Sequence, residues 1–405
     1  MTSSAPTVLA INAGSSSIRF AVYDAAAAPR LRLRGRIERI GSSDAKLIVH
    51  DRTGKLQAPR RLAATGHRAA VDCLLDWLET QPIFPSVKAA GHRVVHGMEH
   101  SEPERVTRRL FAELRRITPY APEHLTRELA LIEAILRRRP ELPQVACFDT
   151  AFHRGMPRVA KLLPIPRRHA AKGVERYGFH GLSYAYLMEE LGRLDPEAAL
   201  GRVILAHLGN GASLAAVRDG KSMDTSMGFT PAAGLVMGTR AGDLDPGLAY
   251  FLARTKRMTA NQFQHMVNHE SGLLGVSGTS PDLRDLLARE SRDIRAFEAV
   301  ALFCYQVKKW IGAYAAALGG VDTLVFAGGI GENAPLIRQR ICDGLGFLGM
   351  DLDKRRNARN AALISANGAR ARVRVIRTDE ELMIARSVNR VLKLGSRGTT
   401  EQGET

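Results

Sequence analysis

Val8-Leu9-Ala10-Ile11-Asn12-Ala13-Gly14-Ser15-Ser16-Ser17-Ile18-Arg19-Phe20 joins an apolar run, a small polar turn and a second run that alternates. After the turn Ile18, Phe20 and Val22 alternate with Arg19, Ala21 and Tyr23, so the segment reads as two paired strands. Gly14 permits a tight reversal, and the three serines offer hydroxyl and N–H groups to phosphoryl oxygens. The segment points to a phosphate-gripping hairpin. An ordinary Gly-Ser turn has the same composition, and other segments must decide.

Two further stretches bear on that choice. Val203-Ile-Leu-Ala-His-Leu-Gly-Asn-Gly-Ala-Ser-Leu-Ala-Ala-Val217 repeats the strand-turn-strand pattern, which suggests two related domains with a glycine-rich hairpin each. The strand Leu324-Val325-Phe326 leads into a third glycine loop, Ala327-Gly-Gly-Ile-Gly-Glu-Asn333, before Pro335 opens a helix through Ile337 and Ile341. Strand, glycine turn and helix start form a nucleotide-binding arrangement, although neither GxGxxG nor GK[ST] is present. Between Arg105 and Pro140 lies a helical region interrupted near Pro119 and Pro122, with Leu129, Ile132, Ile135 and Leu136 on one side of its second helix. The strand Gln144–Phe148 then delivers Asp149 at its C-terminal end, where open α/β sheets bind ligands.

At 405 residues the chain exceeds the size of a single growing core, so two domains are expected. The hydrophobic fraction of 45% and charged fraction of 24% are those of a globular protein, not a fibre or a disordered chain. The N-terminus has no signal pattern and no uncharged apolar run reaches membrane-spanning length, which predicts a cytoplasmic protein without membrane contact. Cys73, Cys147, Cys304 and Cys342 show no CxxC pairing and read as buried free thiols without a catalytic role. The net charge of +17 invites a nucleic-acid reading. Its scattered basic pairs, without aromatic interleaving, instead suggest solvated faces and attraction for anionic substrates.

In order, the chain carries Asn12-Ala-Gly-Ser-Ser-Ser17, Gly91-His-Arg-Val-Val-His-Gly97, Phe148-Asp-Thr-Ala-Phe-His153, Tyr177-Gly-Phe-His-Gly181, His207-Leu-Gly-Asn-Gly-Ala-Ser213, Ser226-Met-Gly-Phe-Thr-Pro231, Met237-Gly-Thr-Arg240, Ser271-Gly-Leu-Leu-Gly275, Gly328-Gly-Ile-Gly-Glu-Asn333 and Glu380-Glu-Leu-Met-Ile-Ala-Arg386. With these motifs it resembles the acetokinase family of acetate kinases, within the actin, hexokinase and Hsp70 superfamily, from Val8 to about Val388.

The resemblance implies an α/β fold of two related actin-like (ribonuclease H-like) ATPase domains with an active-site cleft between them. It implies an N-terminal domain over 1–150 completed by a C-terminal helix at 381–394, a C-terminal domain over 151–380 with the nucleotide loops, and a flexible tail at 395–405. The implied activity is reversible, direct in-line phosphoryl transfer between ATP and acetate, giving ADP and acetyl phosphate, with Mg2+ (Mn2+ as a substitute) and a homodimeric state.

Such transfer depends on positioning and charge neutralisation, so cations, a metal and a rigid phosphate cradle are needed. By the resemblance, Arg93 holds the carboxylate or acyl-phosphate oxygens, while His180 and Arg240 neutralise the phosphoryl group in flight. Asp149 matches the catalytic aspartate; because acetate is already ionised, a metal-positioning and orienting role is favoured over acid/base work. Val95, His124, Phe179 and Pro231 match acyl-substrate positions. Asn12 and Glu380 match the Mg2+ positions, as hard oxygen ligands suit. Ser15, Ser17, Arg19, the loop His207, Leu208, Gly209, Asn210 and Gly211, then Asp282, Leu283 and Arg284, and finally Gly329, Ile330, Gly331, Glu332 and Asn333 match nucleotide positions. His124, His153 and His207 read equally as hydrogen-bonded core histidines; the first and last are taken as site residues and His153 is not.

Some residues depart from the family pattern. Arg19 stands where Lys is common, Met98 replaces a glycine, Ala121-Pro-Glu-His-Leu-Thr126 replaces APLHNP, and Leu182-Ser-Tyr184 replaces TSH. Arg19 keeps the charge, whereas the last two departures bear on acyl-group preference and keep a propionate or butyrate kinase open, to be decided by Val95, Glu123, Phe179 and Pro231. Pro122 suits the first turn of a helix and an acid beside it suits the positive dipole end, so Glu123 is expected to turn toward solvent while His124 faces the cleft. A partner-coupled actin- or Hsp70-like ATPase would keep the glycine hairpins but would not need Arg93, His180 and Arg240 together.

Overall fold

The computed structural model describes residues 5–14, 17–62 and 66–395. It divides into two compact units, one taking in residues up to Ala151 and from Asp379 onward, the other Phe152–Thr378. Ser15 and the tail from 396 lie outside the described residues.

In the first unit the strands are β1 (Thr7–Ala13), β2 (Ile18–Asp24), β3 (Leu31–Glu38), β4 (Lys46–Asp51), β5 (Arg60–Arg61), β6 (Val87–Val94), β7 (Glu104–Arg105) and β8 (Gln144–Phe148). They form one sheet in the order β5-β4-β3-β2-β1-β6-β8-β7. β1 and β2 pair antiparallel with Ala13 opposite Ile18, and across the turn the Gly14 N–H donates to the Ser17 carbonyl at 2.7 Å. β6 runs parallel to β1, and β8 parallel to β6.

Despite the alternation in β2, only Arg19 is exposed there. Phe20 and Val22 enter a core with Leu74 and Leu75 of the helix His67–Glu79, while the C-terminal helix Glu380–Val391 packs on the sheet as well. A central strand covered on both faces buries both sets of side chains. Gly91 on β6 shows how closely that helix lies: a Cβ there would fall 2.4 Å from Ile384 Cγ2 and 2.5 Å from Val388 Cγ2.

The second unit contains β9 (Arg202–Leu208), β10 (Ala212–Arg218), β11 (Lys221–Thr225), β12 (Thr323–Ala327) and β13 (Arg372–Val375), in the order β11-β10-β9-β12-β13. β9 and β10 form an antiparallel hairpin with Leu208 opposite Ala212, whereas β12 is parallel to β9 and β13 to β12. The first unit uses the same plan in β3-β2-β1-β6-β8, so the two glycine hairpins occupy equivalent places in two equivalent sheets. Helix Gly181–Leu194 adds Tyr184, Leu187 and Leu191 to a core with Val203, Leu205 and Val325. The 25-residue helix Ile294–Leu318 is capped by Asp293, whose side chain accepts from the Arg295 and Ala296 N–H groups.

The expected third glycine loop is instead a short helix, Gly328–Asn333, directly after β12. Gly328 turns the chain at φ 76, and the Glu332 carboxylate accepts the Gly328 N–H at 3.0 Å, closing the turn on itself. No helix among the described residues is long and apolar enough to cross a membrane. The four cysteines are free thiols, with Cys73 half-buried and the other three buried.

Candidate active site

In the first unit the parallel neighbours β6 and β8 bring Arg93 and Asp149 together at their C-terminal ends. Arg93 donates to Asp149 Oδ2 from Nε at 2.8 Å and from Nη2 at 2.5 Å. Asp149 is fully buried, and its N–H donates to the Val94 carbonyl at 2.9 Å. Burial opposes the Arg93 charge, but the carboxylates of Asp149, Glu380 and Glu128 more than reverse this and hold the guanidinium above its ordinary range.

Asn12, on β1, donates from Nδ2 to Glu380 Oε2 at 2.6 Å and to Glu381 Oε1 at 3.2 Å. Both acids open the C-terminal helix, whose start is fixed by Asp379 accepting the Leu382 N–H at 2.8 Å. Arg19 lies opposite Asn12 in the β1–β2 register. Burial, and after it the neighbouring Glu380 charge, push the Glu381 carboxyl up to about 7, against the pull of Arg19. Among the described residues no three His, Cys, Asp or Glu side chains converge as a closed metal cage. Two crowded carboxylates and an amide make a partial, hard-oxygen set. The crowded carboxylates are hard-oxygen donors of the kind Mg2+ takes, with waters and substrate oxygens completing its shell.

The helix Pro122–Arg138 supplies the rest of this group. Glu123 and His124 are both half-buried in its first turn, after Pro122. One turn beyond His124 stands a residue that motif reading missed: Glu128 is 1% exposed, and its Oε2 accepts the Val95 N–H at 2.9 Å. Burial pushes its carboxyl up to about 8, with Asp149 acting in the same sense and Arg93 and the Val95 N–H against. The available signal was an acid inside the stripe Leu125, Glu128, Leu129 and Ile132, spaced as a buried helix face.

In the second unit His180 precedes the helix Gly181–Leu194 with φ 59 and ψ 23, a left-handed conformation uncommon for a residue with a Cβ. His180 Nδ1 lies 2.8 Å from Ser213 Oγ, which is 2.5 Å from the Tyr184 hydroxyl. The His180 ring stacks on His207, whose Nδ1 is 2.8 Å from Ser183 Oγ; that hydroxyl is 2.8 Å from Thr378 Oγ1. A Cβ on Gly211 would lie 3.3 Å from His180 Nε2 and 3.7 Å from Arg240 Nη1. The hairpin thus brings His180, His207, Gly211 and Arg240 together, and a Cβ at Gly211 would crowd that approach. Arg240 Nη1 also donates to the Pro231 carbonyl at 3.2 Å.

His153, which motif reading set aside, holds this group from behind. Its Nε2 donates to the carbonyl of buried Phe179 at 3.1 Å, and its Nδ1 is 2.8 Å from Ser222 Oγ. Burial lowers its pKa to about 4, so the ring stays neutral and keeps the backbone before His180 in place.

The remaining nucleotide candidates sort by what they can still offer. Leu208 and Leu283 are buried and present backbone alone. Asn210 accepts the Gly238 N–H on its carbonyl at 3.1 Å, and a Cβ on Gly238 would meet the Pro281 carbonyl at 3.2 Å, so the Asp282 turn adjoins the Asn210 loop. Asp282 caps the helix Leu283–Arg289 and forms an ion pair with Arg284 at 2.5 Å. Glu332 is taken up by the N–H groups of Gly328 and Thr378, at 3.0 and 3.1 Å, and acts as a brace. Asn333 donates to the Gly329 carbonyl at 3.0 Å, and buried Arg338 to that of Gly331 at 2.8 Å. Ser17 and Arg19 belong to the first unit's hairpin, and Ser15 lies outside the described residues.

The model of the acetokinase family matches residues 7–386. An acetate kinase of Rhodopseudomonas palustris is 45% identical over 393 residues, covering 95% of this chain and 98% of that protein. A propionate kinase of Citrobacter rodentium is 44% identical over 394 residues, covering 95% of this chain and 96% of that protein. Among solved structures, Porphyromonas gingivalis acetate kinase superposes with a TM-score of 0.85 at 36% identity, covering 96% of this chain and all of that one, 100%.

Proposed function

The chain belongs to the acetokinase family, and from that premise we propose that it transfers the γ-phosphoryl group of ATP to acetate, giving acetyl phosphate and ADP. It is an ATP-dependent carboxylate phosphotransferase. The supporting observation is the glycine hairpin of the second unit, where His180 Nε2 and Arg240 Nη1 stand 3.3 and 3.7 Å from the side-chain position that Gly211 leaves empty.

An acetate oxygen attacks the γ-phosphorus in line, the bond to the β-phosphate oxygen breaks, and ADP leaves. No proton needs removing, because acetate is ionised at neutral pH. Arg240 and His180 neutralise the equatorial oxygens of the moving group, and the N–H groups near Gly211 and Gly329 bind phosphate. Arg93 orients the acceptor carboxylate, and Asp149 holds Arg93 in place. Asn12 and Glu380 are the residues that would hold Mg2+, which when bound shields the charge of the nucleotide phosphates.

The 44% identity to a propionate kinase, against 45% to an acetate kinase, keeps propionate as the second reading. The enzyme is read as cytoplasmic, with its charge serving anionic substrates rather than nucleic acid. A homodimer is supported by the helix Pro246–Lys256, which buries none of its residues and exposes Tyr250 and Phe251. Light scattering before and after Phe251→Asp tests it. The central experiment is acyl-phosphate formation from Mg-ATP with acetate, propionate and butyrate, trapped as hydroxamate. No product above the no-enzyme control with folded protein sinks the function, and a larger kcat/KM for propionate replaces acetate.

A further inference from the structure

Behind the acceptor residues of the first unit lies an acid that neither binding nor transfer has yet used. Glu128 touches Val95 through Oε2 alone; its Oε1 is buried with no hydrogen-bond partner among the described residues. From the neighbouring elements the charged groups acting on it are Arg93 of β6 and Asp149 past the end of β8. Glu380 acts on the same Arg93 from the C-terminal helix.

We infer that Glu128 is a positioning residue for the acceptor carboxylate: Oε2 fixes the Val95 backbone, and Oε1 sets a protonatable group in the electrostatic field of Arg93. The inference rests on the assignment of Arg93 and Val95 to the acceptor.

A carboxylate with one oxygen shielded from solvent and without a protein donor is costly to ionise, whereas the protonated acid is not. Burial accordingly pushes this carboxyl up to about 8. Below that value Glu128 is neutral, and Arg93 shares its charge with fewer anions. Above it a new anion competes for Arg93 and repels the incoming carboxylate. The acceptor should bind more weakly as pH rises through about 8, whereas any pH response of ATP, which follows other groups such as Glu381, should be the same with and without Glu128. Linkage gives the converse: acetate bound at Arg93 favours the protonated acid, so binding near that pH takes up a proton.

The test measures KM for acetate and for ATP from about pH 6 to about pH 9 in the wild type, Glu128→Gln and Glu128→Ala. For a single ionisation near 8 that blocks binding, wild-type KM for acetate rises by about tenfold between about pH 7 and about pH 9, and the pH profile of KM for ATP is the same in wild type and Glu128→Gln. Glu128→Gln keeps an acceptor for the Val95 N–H and should remove the rise. Glu128→Ala loses that acceptor and should raise KM for acetate at every pH, an effect rescued by Gln. Calorimetry of acetate binding in two buffers of different ionisation enthalpy should show proton uptake near pH 8 in the wild type and none in Glu128→Gln. A flat wild-type profile, or an unchanged rise in Glu128→Gln, overturns the inference. Arg93→Ala separates the two layers: if it leaves KM for acetate unaltered, the acceptor assignment itself fails, whatever Glu128 does. If it raises KM while Glu128→Gln keeps the wild-type profile, only the Glu128 role is lost.

Discussion

His180 and His207 stack with ring centroids 4.3 Å apart and planes inclined by 23°. Each ring is tied through Nδ1 to a serine, Ser213 and Ser183 respectively, which leaves both Nε2 edges toward the Gly209–Gly211 turn. Under the proposed transfer, two adjacent imidazoles locked this way would form a preorganised wall for phosphoryl oxygens rather than a pair of mobile side chains.

Removing a donor from that wall should act on the rate more than on nucleotide binding. His180→Ala and Arg240→Ala are each expected to lower kcat by about 10²- to 10³-fold, with ATP affinity by calorimetry altered by less than about threefold. Turnover like the wild type in either variant removes that residue from the transfer site.

Asp149 makes a different prediction, because its carboxylate is the partner of Arg93 at 2.5 Å. In Asp149→Asn the anion that orients Arg93 is gone, and kcat should fall by about 10²-fold or more. Arg93 is then shared with one anion fewer, so KM for acetate should stay level or drop. A raised KM with kcat intact would mean that Asp149 serves acceptor affinity alone.

The two hairpins were legible because their logic is local: apolar runs flank small residues at a turn, and no distant segment is needed to specify that. Asp149 was legible from its place after a buried strand. The burial of Ala21 and Tyr23 was not, since it depends on a distant C-terminal helix, at whose start the Tyr23 hydroxyl donates to Asp379. Glu128 escaped for a related reason. Its acid is exceptional only once the helix face of Leu125 and Leu129 is known to be turned inward and Val95 stands opposite. Glycine runs also mislead about form: Gly328–Asn333 reads as loop, but a carboxylate four residues on winds it into a helical turn.

Stability carries the Glu128 signature with a definite sign. Its carboxyl rises from an ordinary 4.5 to about 8 on folding, so the folded state holds the proton more tightly than the unfolded chain. That contribution is complete below about pH 4.5 and is lost as pH climbs through about 8. Glu128→Gln, which never ionises, should therefore gain stability over the wild type as pH rises. Urea midpoints should differ little at about pH 5 and favour Glu128→Gln at about pH 8.5. A difference independent of pH removes the buried acid from the account.

Gly91 tests the docking of the C-terminal helix onto β6. A methyl group at Gly91 has to displace Ile384 and Val388, whose Cγ2 atoms would stand 2.4 and 2.5 Å from it. Overpacking of this kind costs about 1–3 kcal/mol, so Gly91→Ala should lower Tm measurably, and combining it with Ile384→Ala, which removes the facing Cγ2, should cost less than the two single changes added together. An unchanged Tm would mean that the helix shifts without cost.

Glu123 poses the opposite question from Glu128, although both acids lie on the helix Pro122–Arg138. The resemblance places an apolar residue of the acyl pocket at Glu123, and an ionised carboxylate lining that pocket would repel the acceptor anion and suffer desolvation of several kcal/mol. The structure puts Glu123 in the first helical turn, half-buried, directly after Pro122. There the exposed N–H groups and the positive end of the helix dipole stabilise an acid. The buried acid of this helix is Glu128, so Glu123 can serve the helix end without lining the pocket. Glu123→Leu should then change KM for acetate by less than about tenfold, equivalent to roughly 1.4 kcal/mol, and acetate should remain preferred over butyrate. Kinetics of the wild type and Glu123→Leu on acetate, propionate and butyrate provide the check. A drop in KM beyond that range, or a wild-type preference for a hydroxylated or cationic acid, would show that the Glu123 carboxylate faces the acceptor.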